Sequence, residues 1–376
     1  MVRLLHLADV HLGGRFSEFG GLATVRREVH LAAFRRLPAV AADLEAQAVL
    51  IAGDLFDRPD PGPDARSAVL DTIDRLTHDG RHVFIAPGDY DSTSLYPNPY
   101  SEPLADAIVF KDPAFGSPVS VETEAGPLHV YGIAFDPTVV EDPLSTFERS
   151  DDHGIHVVLL HAQVDDAQDG PAAERSLLHV KREQLAALDV DYIALGGCHH
   201  FISPLDLDPS NQIPACNAGS FAALDAGERG QRGFVDVEVE EDLPPRVELN
   251  SSGLAEVVDV GTFDVTPYGS ETQIAEAIAA SGSTGAIPVV ELVGTPVFPL
   301  DADVVRAELC GRLGHALVND RSTYALSGRV GEIADRDTIL GHVVRLNRDR
   351  IDTAENAAEE ALQDRALRIV LKELGV

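Results

Sequence analysis

Cysteine is scarce in this sequence, and long hydrophobic runs are missing from it. The three cysteines, Cys198, Cys216 and Cys310, are an odd number without a paired spacing, which argues against a disulfide framework and for a reducing compartment. No run of about 18 apolar residues occurs, so the sequence predicts no membrane span. The N-terminus enters an apolar strand at once, without the basic stretch, apolar block and cleavage site of a secretion signal. We therefore expect a cytoplasmic protein.

Positive charge is also scarce. The chain has 29 lysine and arginine residues against 62 aspartate and glutamate residues, a formal net charge of −33, and its only lysines are Lys111, Lys181 and Lys372. One interpretation is a soluble surface that repels other copies of itself. A second is adaptation to a high-salt cytoplasm, where dense carboxylates hold water and lysine is avoided. On either interpretation the surface repels DNA at low salt, so a nucleic-acid function would depend on metal ions, local arginines or a partner.

The length of 376 residues, with an ordinary hydrophobic share of 44%, predicts two or three globular domains. Over residues 1–250 short apolar strands alternate with helices, which is typical of an α/β core. Strand pairs without a helix between them, such as 118–123 and 127–133, make the predicted sheets mixed rather than purely parallel. A small α/β unit is predicted over 256–330, and a charged helical segment over 331–376.

Hydrophobic periodicity predicts one long helix over residues 22–47 and, near the end of the chain, amphipathic helices over 335–346 and 354–374. The acidic, proline-containing stretch 240–245 is either a turn between strands or a domain boundary. The last strand of the small unit is expected near residues 323–329.

Polar motifs follow five of the apolar strands. Because open α/β sheets usually form their sites at the carboxyl ends of their strands, we expect these side chains to converge. The motifs are Asp9-Val10-His11, Gly53-Asp54-Leu55-Phe56-Asp57, Gly88-Asp89-Tyr90-Asp91, His161 and Gly196-Gly197-Cys198-His199-His200.

The residue types in these motifs suit divalent metals. Asp9 and His11 lie two positions apart, point to one face and combine a hard carboxylate with an imidazole, a set that binds Mn, Fe or Zn. Gly53 allows a tight turn, and Asp54 can bridge two cations, although a turn or helix-capping carboxylate is the alternative. His161 ends a very apolar strand and is either buried and hydrogen-bonded or a ligand. Their joint occurrence in order favours two-metal hydrolysis of a phosphoester.

In these motifs the chain resembles the calcineurin-like metallophosphoesterases, and among them the SbcD-type branch of DNA double-strand-break-repair exonucleases. The family pattern is Asp-x-His, Gly-Asp-x-x-Asp, Gly-Asn-His-Asp/Glu, a histidine after a strand, and Gly-His-x-His. Residues 6–13, 191–196, 217–221 and 230–238 are also similar to the branch, and the resemblance covers about residues 1–240. It implies a four-layer sandwich of two mixed sheets flanked by helices, followed by a small α/β capping domain and C-terminal helices.

The resemblance also implies the site, with two divalent cations that we expect to be Mn²⁺. The first cation would be held by Asp9, His11, Asp54 and His199. The second would be held by Asp54, Asp89 and His161, so that Asp54 bridges the pair. The candidate catalytic residues are Tyr90, Asp57 and Asp91.

Three positions depart from the family pattern. Asp89 stands in place of the asparagine and still offers an oxygen ligand. Tyr90 stands in place of the histidine that assists catalysis, and a phenol with a pKa of about 10 is poorly tuned as an acid. Gly197 stands in place of a histidine, so the second cation loses an imidazole, unless the register slips and Cys198 or His200 takes that place. Because losing a general acid typically costs ~10²–10⁴-fold in rate, we expect one well-formed metal site, one weak site and slow or altered chemistry.

These observations leave three hypotheses for the function. The main one is a metal-dependent phosphodiesterase, an exonuclease of DNA double-strand-break repair. The second is a nuclease-fold scaffold protein whose chemistry has decayed, and the third is a phosphoesterase acting on small molecules. The resemblance implies DNA, a coiled-coil ABC ATPase (SbcC-type) bound through the C-terminal helices, and a second copy of the chain as partners.

Overall fold

The chain folds into two compact units, Met1–Glu256 and Val257–Val376. The computed structural model describes residues 1–139, 142–165, 178–241, 243–281, 285–298, 300–323 and 329–354, together with 359, 362–363, 365–367 and 369–370.

The first unit is built from short strands with helices between them. In chain order the strands are β1 (Val2–Leu7), β2 (Ala48–Ala52), β3 (His82–Ala86), β4 (Ile108–Val109), β5 (Val119–Thr123), β6 (Gly126–Gly132), β7 (Ile155–Asp165), β8 (Leu178–Lys181), β9 (Tyr192–Gly196), β10 (Ala215–Asn217), β11 (Gly233–Val239) and β12 (Arg246–Ser251). The helices are α1 (Ala23–Phe34), α2 (Leu37–Asp43), α3 (Pro63–His78), α4 (Arg182–Ala186) and α5 (Pro204–Leu207).

These strands form two mixed sheets. The first has the order β12-β11-β1-β2-β3-β4, in which β1 to β4 run parallel and β11 and β12 are antiparallel to their neighbours. The second has the order β10-β9-β7-β6-β5, parallel from β10 to β6 and antiparallel between β6 and β5, with β8 paired to β7. The prediction of mixed sheets is confirmed.

The two sheets pack face to face, and helices cover their outer faces. Side chains alternate across each strand, so in β2 Leu50 faces the second sheet while Val49 and Ile51 face α1–α3. The outer face of the second sheet packs on α4 and α5. This arrangement confirms the predicted four-layer sandwich. The core between the sheets includes Val2, Leu4, Leu50, Phe84 and Val235 from the first sheet and Leu128, Val130, Val157, Leu159 and Tyr192 from the second.

The long helix predicted over residues 22–47 is wrong, because the segment forms two helices, α1 and α2. Pro38 lies in the first turn of α2, next to Leu37. A proline lacks an N–H and its ring clashes with the preceding helical turn, so α1 ends before it and Pro38 is accommodated in the first turn of α2.

Two other boundaries affect the interpretation of the motifs. Residues 240–241 and 243–245 of the acidic stretch lie between β11 and β12, which pair antiparallel, so the described part of the stretch is a turn between strands rather than a domain boundary. Strand β7 runs on to Asp165, so His161 lies within the strand and not after its end.

The second unit contains a small parallel sheet with its own core. Its elements are β13 (Val257–Asp264), α6 (Glu271–Ser281), β14 (Ile287–Val293), α7 (Ala302–Leu313) and β15 (Leu317–Asp320), and the sheet order is β13-β14-β15. Among the described residues β15 is the last strand, and the strand predicted near 323–329 falls mainly on residues 324–328, which lie outside the described residues. The core between sheet and helices includes Ile274, Ile278, Val290, Leu292, Val305 and Leu309.

Two further helices follow, α8 (Arg329–Ala334) and α9 (Ile339–Asp352). The helix predicted over 335–346 is thus shifted, because a break before Thr338, whose hydroxyl caps α9, separates two helices. The helix predicted over 354–374 falls largely outside the described residues. Among the helices of the described part of the chain, none combines the length and the apolar character needed to span a membrane.

Candidate metal centre

The candidate centre lies where the carboxyl ends of both sheets meet. Asp9 follows β1, and its two carboxylate oxygens accept hydrogen bonds from the backbone N–H of Gly197, after β9, at 3.1 Å each. His161 of β7 places Nδ1 3.0 Å from the carbonyl oxygen of Ala52, the last residue of β2. These contacts join the first sheet to the second at the predicted edge.

The backbone of the centre is strained. Asp9, His11 and Asp54 have φ angles of 46°, 50° and 51°, in the left-handed region. That conformation costs a residue other than glycine about 1–3 kcal/mol. Hydrogen bonds between the two loops hold it, from Asp9 N–H to the Gly53 carbonyl at 3.2 Å and from His11 N–H to the Asp54 carbonyl at 2.8 Å. This left-handed conformation directs all three side chains into one pocket.

The first group of donor atoms comes from Asp9, His11 and His199, and these atoms all lie within 4.8 Å of one another. Asp9 and His11 are 0% and 2% exposed. Both ring nitrogens of His11 are buried and lack a hydrogen bond, although a carboxylate oxygen lies 3.5 Å from each, Asp57 Oδ1 from Nδ1 and Asp54 Oδ2 from Nε2. An unpartnered buried nitrogen is costly unless another group binds it, so this ring fits a metal ligand.

The second group of donor atoms comes from Asp9, Asp54 and His161, again within 4.8 Å of one another. Asp54 Oδ2 lies 3.5 Å from Nε2 of His11 and 3.5 Å from Nε2 of His161. Asp89 Oδ1 lies 3.1 Å from the same His161 nitrogen, at the edge of this group. Asp9 therefore belongs to both groups, and Asp54 faces an imidazole from each.

Two glycines beside this group leave space that a side chain would fill. A Cβ on Gly53 would collide with the His161 ring, and a Cβ on Gly88 would collide with the Asp54 carboxylate. Gly53 also has a φ of 88°, a conformation that residues with a side chain rarely adopt. The motif glycines thus let the strand ends approach closely enough to bring the ligands together.

The electrostatics of the centre favour a cation. Burial lowers the pKa of His11, but the carboxylates of Asp57, Asp54 and Asp9 outweigh it and raise that pKa to about 9. Burial lowers the pKa of His161 too, and Asp54 and Asp89 raise it well above its usual value. Burial raises the pKa of Asp54 although both imidazoles oppose this. Protons on these groups therefore offset the negative charge of the pocket. A divalent cation can take the place of those protons.

Two of the imidazoles are fixed at Nδ1, which leaves Nε2 facing the donor groups. The Ala52 carbonyl can only accept, so His161 Nδ1 donates to it. His199 Nδ1 lies 2.5 Å from Oε1 of Glu228, a side chain that is only 7% exposed. Burial lowers the pKa of His199, but Glu228 and Asp9 raise it overall. Glu228 was not predicted from the sequence, because it lies in a loop without an apolar strand before it and outside the family motifs.

The three departures from the family pattern lie around the two groups. The Tyr90 side chain is 50% exposed, and its ring centroid lies 4.7 Å from that of His11. A Cβ on Gly197 would lie 3.3 Å from His161 Nε2, so the side chain missing at this position would belong to the second group. Asp89 contacts His161 on that side as well.

Other predicted residues lie at the margin of the centre. Asp57 Oδ1 is 3.5 Å from His11 Nδ1. Asp91 is fully buried and accepts from the backbone N–H groups of Phe56 and Gly88 at 3.1 and 2.8 Å and from the Tyr100 hydroxyl at 2.5 Å. These bonds give Asp91 a structural role, and a catalytic one for either aspartate stays a prediction.

The alternative ligands His200 and Cys198 are in neither donor group of the described residues. His200 Nδ1 accepts from Arg232 at 3.4 Å. Burial raises the pKa of the Cys198 thiol, which disfavours the thiolate that a metal requires. The structure thus offers no support for a slipped register.

A sequence model of the calcineurin-like phosphoesterase family matches residues 2–201, more than half of the 376-residue chain. The chain belongs to this family, which confirms the resemblance, and the family consists of metal-using hydrolases of phosphoester bonds. The ligand groups described above lie within the matched residues.

Among individual proteins, the chain is similar to the DNA double-strand break repair protein Mre11 of three organisms. Identity is 40% over 96 residues for Aeropyrum pernix, covering 25% of this chain and 22% of that protein. It is 28% over 146 residues for Sulfurisphaera tokodaii (38% and 35%) and 32% over 93 residues for Archaeoglobus fulgidus (25% and 20%). The matched part thus spans about a fifth to a third of these relatives.

Proposed function

We propose that this protein is a metal-dependent nuclease that hydrolyses DNA phosphodiester bonds in double-strand-break repair, with exonuclease activity. The observation that carries the proposal is the convergence of buried oxygen and nitrogen donors in two groups that share Asp9. The similarity to Mre11 proteins supports DNA as the substrate. The acidic surface, with its net charge of −33, supports a division of labour in which a partner supplies much of the DNA grip.

The side chains of the centre have separate tasks. A bound pair of divalent cations, which we expect to be Mn²⁺, would lower the pKa of a water molecule and neutralise charge on the phosphoryl group. Asp9 and Asp54 provide the buried negative charge that holds cations. His199 and His161 present Nε2 because Nδ1 is held by Glu228 and by a backbone carbonyl.

Tyr90 is the candidate for protonating the leaving oxygen. Its ring lies beside His11 and is half exposed, so the hydroxyl can reach a substrate from solvent. Because a phenol of pKa about 10 gives up its proton reluctantly near neutral pH, this step is slower than with an imidazole. We therefore expect measurable but slow hydrolysis.

The test is a nuclease assay in Mn²⁺ with the wild-type protein and Asp54→Ala. We expect cleavage of linear DNA by the wild type and loss of it in the variant. The control is Asp60→Ala, an exposed aspartate on the same loop, which should cleave as the wild type does. Equal background from the wild type and Asp54→Ala refutes the enzymatic function.

The substrate class requires a second comparison. Single- and double-stranded DNA should be tested beside a panel of small phosphoesters under the same conditions. Hydrolysis of the small esters with intact DNA would instead identify a small-molecule phosphoesterase.

A nuclease-fold protein with decayed chemistry is the second candidate, and Tyr90 and Gly197 favour it. These two replacements remove an imidazole acid and an imidazole ligand from the same pocket. In this case the protein would bind DNA or its partner with cleavage at the Asp54→Ala background. A binding assay on both proteins, run beside the nuclease assay, separates the two candidates.

We also propose that the chain forms a homodimer and binds a coiled-coil ABC ATPase through residues 331–376. Ile339, at the start of α9, is 87% exposed, as a docking side chain would be. Co-purification with the ATPase and its loss on Ile339→Glu would test the contact, and sedimentation of the isolated chain would test the dimer.

A further inference from the structure

Residues of the loop that follows β10 hold His199 in place through hydrogen bonds. Arg232 donates through one guanidinium nitrogen to the His199 carbonyl oxygen and, at 3.3 Å, to the Ser220 hydroxyl. Glu228 Oε1 holds His199 Nδ1 at 2.5 Å. One loop therefore fixes both the backbone and the ring of a candidate metal ligand.

The Glu228 carboxylate is itself held in place. Its Oε2 accepts from the Ser220 hydroxyl at 3.0 Å and from the Leu224 N–H at 3.0 Å. Asp225 Oδ1 accepts from the Glu228 N–H at 3.1 Å, which closes the turn. Burial raises the pKa of Glu228, but His199, the Leu224 N–H and Arg232 outweigh it and lower that pKa overall.

The other two imidazoles of the centre have weaker acceptors near Nδ1. His161 Nδ1 has a neutral carbonyl acceptor at 3.0 Å, and His11 Nδ1 has the carboxylate of Asp57 at 3.5 Å. A buried carboxylate at 2.5 Å is the strongest acceptor of the three, because ionised acceptors make shorter and stronger hydrogen bonds. Such a partner fixes the tautomer and orientation of the ring and makes the opposite nitrogen more basic.

We infer that Glu228 is a positioning residue, which aims His199 Nε2 at the cation bound with Asp9 and His11 and strengthens its binding there. This inference rests on the proposed metal centre and names a member of it that the family motifs do not contain. Glu228 touches the ring on the side away from the donor group, so it acts through His199.

The experiment is a calorimetric titration of the purified full-length protein with MnCl₂. We expect Glu228→Ala to bind Mn²⁺ about 10- to 100-fold more weakly, the range typical for loss of a ligand's hydrogen-bond partner. Glu228→Gln keeps an oxygen that can accept from Nδ1, so it should bind more tightly than Glu228→Ala and more weakly than the wild type. If Glu228→Ala does not fold, Glu228→Gln provides the test of the inference.

The matched control is Asp236→Ala. Asp236 is also 7% exposed and is paired with a cation, Arg3 at 2.5 Å, but on strand β11. A purely structural role for Glu228 would lower the thermal unfolding temperature of both variants without weakening Mn²⁺ binding by either folded protein. Unchanged Mn²⁺ binding by Glu228→Ala overturns the inference. Where that variant does not fold, unchanged binding by Glu228→Gln overturns it instead.

His199→Ala separates this inference from the proposed function. Loss of one Mn²⁺ site in His199→Ala, with normal binding by the Glu228 variants, would support the metal centre and remove only the positioning role of Glu228. No binding by the wild type would remove both.

Discussion

The two donor groups that share Asp9 are built differently. The group with His11 and His199 has two imidazoles, and a buried carboxylate supports one of them. The group with Asp54 and His161 has one imidazole, a glycine at position 197 where a second would project, and an added carboxylate from Asp89. The first group would therefore select a metal by ligand type and geometry, whereas the second would attract cations mainly by charge.

The largest effect is expected from Asp9→Ala, since this carboxylate belongs to both groups. We expect Mn²⁺ binding to disappear and nuclease activity to fall roughly 10³-fold, because metal assistance contributes several kcal/mol. Metal content by mass spectrometry and the nuclease rate would measure this, with Asp60→Ala as the control. One ion retained by Asp9→Ala would show that the groups do not share a ligand.

Single histidine variants test whether the groups differ in strength. His199→Ala should lose the tighter Mn²⁺ site and keep the weaker one, and His161→Ala should do the reverse. Calorimetric titrations would give the stoichiometry and the dissociation constant of the remaining site. Equal constants in the two variants would contradict the asymmetry.

Restoring the missing imidazole should strengthen the second group. For Gly197→His we expect Mn²⁺ binding at the weaker site to tighten about tenfold, because the new ring would add a nitrogen ligand. The φ of 92° at this position makes any side chain costly, by about 1–2 kcal/mol of unfolding free energy. Gly197→Ala carries the same strain without the ligand, so an equal affinity in both variants would argue against the assigned position.

His6, a core histidine of β1 just before the centre, makes a prediction about how stability depends on pH. Burial lowers the pKa of His6 to about 3, although a backbone contact opposes this, and its Nδ1 lies 2.8 Å from the Tyr192 hydroxyl. His6 is therefore neutral in the folded state. Its contribution to stability is complete above the unfolded-state pKa of about 6.5 and is lost as the pH falls from there toward 3.

The measurement is the unfolding free energy of the wild type and of His6→Gln between pH 6.5 and 5. The wild type should lose up to about 1.4 kcal/mol more per pH unit than the variant. The exposed His78→Gln should follow the wild type. Parallel curves for the wild type and His6→Gln would show that His6 titrates normally.

Much of the centre could be predicted because its ligands follow short apolar strands. Asp9, His11 and Asp54 each sit two to four residues past a strand, where parallel strands bring their ends to one edge. Glu228 could not be found in this way, since it approaches His199 from a loop and its role depends on tertiary contact alone. The mixed sheets followed from strand pairs with no helix between them.

The helical boundaries were harder to predict for local reasons. Pro38 divides a segment whose apolar periodicity continues across it, and the pattern alone does not show the division. Similarly, β7 continues past the apolar run that ends at Leu160, because it pairs with β8 beyond that point. Pairing partners of this kind depend on the folded arrangement.

The close approach of Gly53 to His161 and of Gly88 to Asp54 has a consequence for natural and laboratory variation. Even one methyl group at either position would overlap an atom of the pocket. A saturation library screened for metal retention should therefore recover only glycine at both positions. Tyr90, half in solvent, should instead tolerate a wide range of replacements in the same screen.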